Sequence, residues 1–315
     1  MQKVRKRNEK NSIGVAAFLK RDFLRNKYKY LMVLPVIIWY ILFCYKPMYG
    51  VIIAFKDFSP SKGIMGSDWV GFKYFAEFFG SVNFVRIFTN TIKLSFYNLI
   101  FSFPLPVILA VLLNEVKSKI FKSTIQTISY FPHFISMVVI CGMVTQFCAM
   151  DGMIGKLFAL ITGQKEALLQ NAKYFRTIYI ASEIWQQTGF NSIIYFAALC
   201  SVNDELYEAA ALDGAGRIQK IIHVSIPSIA PTIIIMLILK VGQIMNVGSE
   251  KVILLYNPLT YETADIISSY IYRVGLQEFN WSLSTAVGLF NNIINIVCLV
   301  SINAISKKVS ETSLW

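Results

Sequence analysis

The chain has 315 residues, of which 55% are hydrophobic and only 15% are charged, and its mean hydropathy is +0.54. A soluble domain is about one-quarter charged, so this composition excludes an ordinary soluble protein. Several apolar runs reach the roughly 20 residues that an α-helix needs to cross a bilayer. We therefore predict an all-α, polytopic membrane protein built as one helical bundle with short tails.

Residues 1–30 form a predicted basic N-terminal tail. Ten Lys and Arg residues fall within residues 1–29, against two acidic residues, in a chain whose net charge is +12. Lys and Arg close to a span hold that side in the cytoplasm, so the tail predicts a cytoplasmic N-terminus. The tail can also lie on anionic lipid headgroups. Because membrane topology explains the charge, we expect no nucleic-acid partner, and we expect the first apolar run to be an uncleaved anchor.

Six apolar runs are predicted to make up a transmembrane domain over residues 31–305, and residues 306–315 form a short C-terminal tail. Six spans place both termini on one side. The Lys-rich segment 114–127 and the loop 203–227 then lie on that same cytoplasmic side, as the distribution of basic residues requires. Segment 248–281 is predicted to be an outer loop. The six runs are about 31–55, 94–113, 128–149, 177–202, 229–247 and 283–305.

No sequence motif for catalysis or cofactor binding is present. We find no Walker A motif, no GxGxxG after a strand and no HExxH. The five cysteines lie in apolar runs without CxxC spacing, which indicates packing residues rather than disulfides or metal ligands. His133 and His223 lack a ligand partner at helical spacing, and His133 beside Pro132 is expected to be a packing or kink feature. We therefore expect neither an enzyme nor a bound metal or cofactor.

The loop 203–227 is a polar, helix-forming segment between two long apolar runs. Asn203 can cap a first helix, and Asp213-Gly214 can end it, because glycine tolerates the backbone angles of a helix C-terminus. A second short helix is predicted over 217–224, with Pro227 stopping it. On these residues alone the segment is either a docking element for another protein or an interfacial hairpin that joins two spans.

The same loop resembles the cytoplasmic loop of type I ABC importer permeases, which has the pattern E-A-A-x-x-D-G-A with I-x-L-P downstream. Val224 and Ile226 stand where Ile and Leu are usual, and both changes keep an apolar branched side chain. In that family the loop is the coupling helix, which docks into a cleft on the ATPase subunit. The resemblance assigns this coupling role to Glu208, Ala209, Ala210, Asp213, Gly214, Ala215 and Pro227.

Further motifs are similar to the LplB-type polysaccharide-permease branch of the carbohydrate-uptake permeases, which are related to the maltose system. The resemblance implies the type I permease fold in a bacterial cell membrane and an oligosaccharide or polysaccharide fragment as substrate. It also implies a second, homologous permease, two ATPase subunits that bind ATP and Mg, and an extracellular solute-binding lipoprotein. The matching segments are Tyr45–Gly50, Ile53–Asp57, Trp69–Gly71, Tyr130–Ser136, Ile193–Ala198 and Ser313–Trp315.

Polar residues within the predicted spans are candidates for a substrate pathway, since such residues usually face the interior of a bundle. Three of them share one face of a helix at i, i+4 and i+8, and two more share a face at i, i+4. They either contact a sugar or form hydrogen bonds between helices, within one permease or between two. The candidates are Glu183, Gln187, Asn191, Gln243, Asn291 and Asn295.

Three other functions stay open at this stage. An ion-coupled secondary transporter would use an intramembrane acid and base, for which Glu183 and Lys240 are available. A membrane-embedded enzyme would need catalytic groups clustered at one depth, and the sequence suggests none. An ABC permease for a solute other than a sugar would keep the same loop and change only the cargo.

Overall fold

The computed structural model describes residues 22–310 and 312–314, which are mostly helical. Most of the predicted basic tail 1–30 lies outside the described residues. In chain order the helices are α1 Lys27–Phe55, α2 Gly63–Gly66, α3 Lys73–Gly80, α4 Val82–Glu115, α5 Lys119–Phe134, α6 Met137–Phe147, α7 Met153–Thr162, α8 Ala172–Cys200, α9 Asp204–Leu212, α10 Arg217–Val241, α11 Ser249–Leu255, α12 Tyr261–Ala264, α13 Ile267–Tyr272 and α14 Trp281–Ser310. Shorter 3-10 turns occur at Leu168–Gln170, Ile244–Asn246 and Pro258–Thr260, and a π turn, Arg273–Gln277, follows α13.

Four of these helices, α1, α4, α10 and α14, are each long and apolar enough to cross a membrane. Helices α5 and α6 pass the same test only together, as a pair bent by 98°. Helix α8 has 29 residues, which is ample length for a span, but it carries several charged and amide side chains. The prediction of an all-α, multi-pass membrane protein is confirmed, while the count of six spans and the side on which the termini lie stay predictions.

The third apolar run is not one straight span, so the prediction for 128–149 is wrong in shape. Helix α5 begins at Lys119, inside the predicted loop, and ends in a 3-10 turn over Phe131–Phe134. Pro132 cannot donate a backbone hydrogen bond, and Ser136 caps a new helix by accepting from the Val139 N–H at 3.4 Å. The chain therefore turns here, as the expected kink at His133 indicated.

Segment 248–281 is not an open loop, since it forms short helices that are folded into the core, while its place on the outer side stays a prediction. Helices α11, α12 and α13 pack between α4, α6, α8 and α14. Val252, Ile266 and Ile267 are fully buried. Each helix has seven residues or fewer, too short for a helical period to stand out in the sequence.

The buried core has three parts. One surrounds Phe175 and Tyr179 of α8, a second joins Phe78 of α3 to the start of α14, and a third lies between α4, the end of α8 and α10. Helix α1 contributes Ala54 at its last turn, whereas none of its most apolar window is buried within this chain. The bundle is therefore formed mainly by α4, α8, α10 and α14, with α1 at its edge.

Helix α14 continues to Ser310, past the predicted end at residue 305. Residues 312–314 then fold back on the helix. The Ser306 hydroxyl donates to the Thr312 carbonyl at 2.7 Å, and the Leu314 N–H donates to Asn303 Oδ1 at 2.8 Å. Part of the predicted C-terminal tail is thus held against the bundle.

A small cap follows α1. Strand β1, Lys56–Asp57, pairs antiparallel with β2, Asp68–Trp69. The Tyr74 hydroxyl donates to Asp57 Oδ1 at 2.7 Å, and burial together with this carboxylate raises the pKa of Tyr74 to about 12. Tyr74 therefore stays protonated and keeps donating to Asp57 across the ordinary pH range.

Helices α5 and α8 are in very close contact at Gly189, which yields a stability prediction. A Cβ at this position would lie 1.9 Å from the backbone oxygen of Ser129. We expect Gly189→Ala to lower the free energy of unfolding by about 1–3 kcal/mol, because the helices would have to separate. Titration with SDS in mixed micelles measures this quantity. Gly142→Ala in α6, where nothing lies within 4 Å, is the matched control and should be close to neutral.

Candidate functional site: the loop 203–227 and the polar cavity

Helix α9 is a short, well-capped helix with an exposed outer surface. At the start of α9, Asn203 Oδ1 accepts a hydrogen bond from the Glu205 N–H at 3.1 Å. At its end the Ala215 N–H donates to the Ala210 carbonyl at 2.9 Å and the Gly214 N–H to the Ala211 carbonyl at 3.1 Å. With Gly214 at φ +79°, these bonds form a Schellman motif, which fixes the end of the helix.

The predicted coupling residues lie on and just after α9. Glu208, Ala209, Asp213 and Gly214 are exposed, while Ala210 and Ala215 are half-buried. Leu212 is 90% exposed. This surface consists of small side chains, with carboxylates and one exposed leucine beside them. Such a surface can enter a groove on another protein.

The loop is attached firmly to the start of α10. The Tyr207 hydroxyl lies 2.9 Å from the hydroxyl of Ser225, which is buried. The Gly216 N–H donates to Gln219 Oε1 at 2.8 Å. One side of α9 is thus tied to the bundle, and the other is free among the described residues.

Pro227 does not stop a helix, which corrects the sequence prediction. Helix α10 runs unbroken from Arg217 to Val241, with a π turn over Ile221–Ser225 and Pro227 just after it. The π turn shifts the hydrogen-bond pattern where the proline lacks its N–H, so the helix continues. Pro227 therefore lies within α10 and outside the exposed surface of α9.

Four of the six predicted pathway residues line one polar cavity. It has a volume of about 250 Å³ and lies between α4, α8 and the end of α10. Glu183, Gln187 and Asn191 come from one face of α8, as the i, i+4, i+8 spacing predicted, and Gln243 follows α10. A second cavity of about 130 Å³ shares Glu183 and Gln243 with the first. Amide and carboxylate groups on a concave wall can bind the hydroxyls of a sugar.

The other two predicted pathway residues do not reach this cavity. Asn291 on α14 donates to Asn246 Oδ1 at 2.6 Å, and Asn295 accepts the Met245 N–H at 3.0 Å. Both asparagines are buried. Both side chains form hydrogen bonds between α14 and the turn after α10. Hydrogen bonding between helices was one of the two interpretations left open by the sequence, the other being contact with a sugar.

Glu183 has a partner that sequence analysis missed. Lys251 Nζ of α11 lies 2.7 Å from Glu183 Oε2, and only 1% of the lysine side chain is exposed. Lys251 falls in the segment predicted to be an outer loop. The available signal in the sequence is a lysine directly before the apolar run Val252–Leu255. Its partner, 68 positions away, leaves no such signal.

Gln187 and His133 form a second missed contact. His133 Nδ1 lies 2.9 Å from Gln187 Oε1, and the imidazole stacks on Phe190 with ring centroids 3.7 Å apart. The bend between α5 and α6 is thereby linked to the residue that lines the cavity. His133 has a packing role together with a hydrogen bond to the cavity wall.

A buried ionic network ties α12 and α13 to α4 and α8. Asp265, which is fully buried, accepts from Arg273 at 2.8 and 3.2 Å, and Arg86 lies 3.8 Å away. Asn90 donates to the Asp265 carbonyl at 3.1 Å and accepts from Arg176 at 2.8 Å. These residues were not predicted from the sequence, although an acid inside the apolar stretch A-D-I-I was a signal.

The described residues contain no group of three or more His, Cys, Asp and Glu side chains arranged to hold a metal ion. The five cysteines are unbonded; Cys141 and Cys148 are buried and Cys200 is exposed.

Comparison with known proteins places this arrangement in a family. Residues 102–311 match the family described as "Binding-protein-dependent transport system inner membrane component". The chain is 42% identical to Protein LplB of Bacillus subtilis (strain 168) over 304 residues, covering 96% of this chain and 94% of the relative. It is 41% identical to the polygalacturonan/rhamnogalacturonan transport system permease protein YteP of the same strain, covering 93% and 91%.

A solved structure shows the same fold. A chain from the crystal structure of a bacterial ABC transporter involved in the import of the acidic polysaccharide alginate superposes with a TM-score of 0.86 at 43% identity, covering 93% of this chain and 99% of that one. Another crystal structure of the bacterial alginate ABC transporter, in complex with an alginate pentasaccharide-bound periplasmic protein, gives 0.86 at 42% identity over 94% of this chain. The chain belongs to the binding-protein-dependent transport system inner membrane components, the permeases of ABC importers, and is a transport subunit rather than an enzyme.

Proposed function

We propose that this permease passes an oligosaccharide or polysaccharide fragment from an extracellular binding protein into the cytoplasm, driven by ATPase subunits that engage the surface of α9. Its main support is that an exposed, rigidly capped helix is tied to α10, and α10 leads without a break to the polar cavity. Closure of the ATPases on ATP would move α9. The bundle would then alternate between outward-open and inward-open states.

The substrate class follows from the relatives and from the cavity. Two relatives are named for polysaccharides, one for polygalacturonan and rhamnogalacturonan and one for alginate. The cavity presents amides from Gln187, Asn191 and Gln243. Such groups suit a ligand rich in hydroxyls.

The assembly we propose contains this chain, a second homologous permease, two ATPase subunits and an extracellular solute-binding lipoprotein, in a bacterial cytoplasmic membrane. ATP and Mg would bind the ATPase subunits and not this chain. Residues 1–30 and 306–315 would face the cytoplasm, and 31–305 would form the transmembrane domain with the coupling loop 203–227. Because Glu183 is paired with Lys251, no observation favours ion-coupled transport.

Two substitutions in the loop test the proposed coupling. In liposomes that contain the whole complex and its binding protein, Glu208→Lys and Gly214→Asp are expected to reduce substrate-stimulated ATP hydrolysis by roughly tenfold or more. Loss of a central interface contact commonly costs about 2 kcal/mol or more. Assembly of each variant is checked by size-exclusion chromatography.

Matched controls separate coupling from general damage. Asp151→Lys reverses an exposed acid between α6 and α7. Gly163→Asp places the same residue at another left-handed glycine, φ +73°, at the end of α7. Both controls should keep stimulated hydrolysis within about twofold, since neither lies on the proposed ATPase contact. If hydrolysis stays stimulated in both loop variants, α9 is only a connector and the proposal fails.

A further inference from the structure

Lys240 is a charged residue of the cavity wall that has no counter-ion within the part of the chain that the structure describes. It lies in the last turn of α10 and lines both the cavity of about 250 Å³ and the one of about 130 Å³. Its side chain is exposed. Among the described residues it forms no ion pair, although Glu183 lines the same two cavities.

The charge of Glu183 is already balanced from the other side. Lys251, almost completely buried, holds Glu183 Oε2 at 2.7 Å. Glu183 is the only acid among the described residues that line either cavity. Together Glu183, Lys240 on the cavity wall and Lys251 behind it carry a net charge of +1.

An ammonium group in a partly enclosed site gains most from a carboxylate, because charge-assisted hydrogen bonds are stronger than neutral ones. The amides of Gln187, Asn191 and Gln243 nearby can take the hydroxyls of the same ligand. A neutral sugar offers the ammonium of Lys240 no charged partner of this kind.

We propose that the cavity binds an acidic oligosaccharide, with a sugar carboxylate on Lys240. This inference rests on the proposed transport function and deepens it, because it fixes the charge of the substrate at a named residue. A competing role for Lys240 is purely structural. A lysine at the C-terminal end of a helix interacts favourably with the helix dipole, and its long side chain can extend toward the membrane interface.

The test compares one sugar skeleton with and without its charge. Binding of radiolabelled trigalacturonate, and of its fully methyl-esterified form, is measured by scintillation proximity on the complete permease–ATPase complex in nanodiscs, without the binding protein. The wild type should bind the acid about tenfold more tightly than the ester, since only the acid can form a charge-assisted hydrogen bond between its carboxylate and the Lys240 ammonium. Lys240→Gln should weaken binding of the acid by about tenfold and leave the ester unchanged.

Two further variants make the outcome decisive. Lys240→Arg keeps the charge and should retain the preference for the acid. Lys93→Gln removes another exposed lysine, from α4 and outside both cavities, and should change nothing.

Equal binding of acid and ester by the wild type would overturn the inference. An unchanged preference of Lys240→Gln for the acid would also overturn it, and Lys240 would then have only its structural role at the end of the helix. The inference would likewise fail if the wild type bound neither probe. None of these results bears on coupling, which the loop variants test with the complex's own loaded binding protein. Failure of the inference and failure of the proposed function are therefore distinguishable.

Discussion

Replacing Lys251 by methionine is expected to lower the free energy of unfolding by about 3–5 kcal/mol, because removing one partner of a buried ion pair leaves the other charge uncompensated. The Glu183 side chain is only 18% exposed, and its oxygen lies 2.7 Å from the Lys251 ammonium. The pair also joins α11 to the middle of α8, so its loss weakens a contact between distant parts of the chain. Titration of the purified permease with SDS in mixed micelles measures the change.

Two further variants test why Lys251→Met loses stability. The double variant Glu183→Gln, Lys251→Met removes both charges and should recover most of the lost stability, since an uncharged pair needs no compensation. Lys93→Met removes an exposed lysine of α4 and should lie within about 0.5 kcal/mol of the wild type. If the double variant is as unstable as Lys251→Met, packing rather than charge accounts for the loss.

Asp265→Asn is expected to have an effect of similar size, about 3 kcal/mol or more. The substitution keeps the shape of the side chain but removes the buried negative charge that lies next to both Arg273 and Arg86. The bidentate pair with Arg273 would be lost, and the two guanidinium groups would lie close together with only the exposed Glu278 carboxylate, 3.9 Å from Arg273, to offset them. The same SDS titration applies, and protease sensitivity of segment 261–277 gives a local measure of the damage.

An exposed ion pair is the matched control for Asp265→Asn. Asp68 lies 3.1 Å from Lys62, and 75% of its side chain is exposed. Asp68→Asn should cost about 0–1 kcal/mol, as exposed pairs usually do. Equal losses at Asp68 and Asp265 would contradict the view that burial makes the network at Asp265 important.

The features that depend on local sequence were predicted well. Hydrophobic runs indicated the long helices, because the length needed to cross a bilayer leaves a clear signal. Helix α9 and the left-handed Gly214 were predicted from a cap residue and a glycine within a few positions of each other. The shared face of Glu183, Gln187 and Asn191 followed from helical spacing alone.

The features that depend on distant partners were not predictable. From the sequence alone, Lys251 is predicted to be a lysine of a loop. Its partner Glu183 is 68 positions away in the sequence, and only the packing of α8 brings the two side chains together. In the sequence, Asn291 is a polar residue within an apolar run, as a pathway residue would be. Only the position of Asn246 in the structure shows that Asn291 forms a hydrogen bond between helices. Pro227 was expected to end a helix because the compensating π turn leaves no mark in the sequence.

The unbroken course of α10 has a mechanical consequence. At a rise of about 1.5 Å per residue, its 25 residues extend roughly 36 Å. A helix of that length that moves as one body displaces its far end by roughly 6 Å when it tilts by about 10° at the end near Gly214. A small rotation at that end would thus be magnified into a sideways displacement of Lys240 at the wall of the cavity.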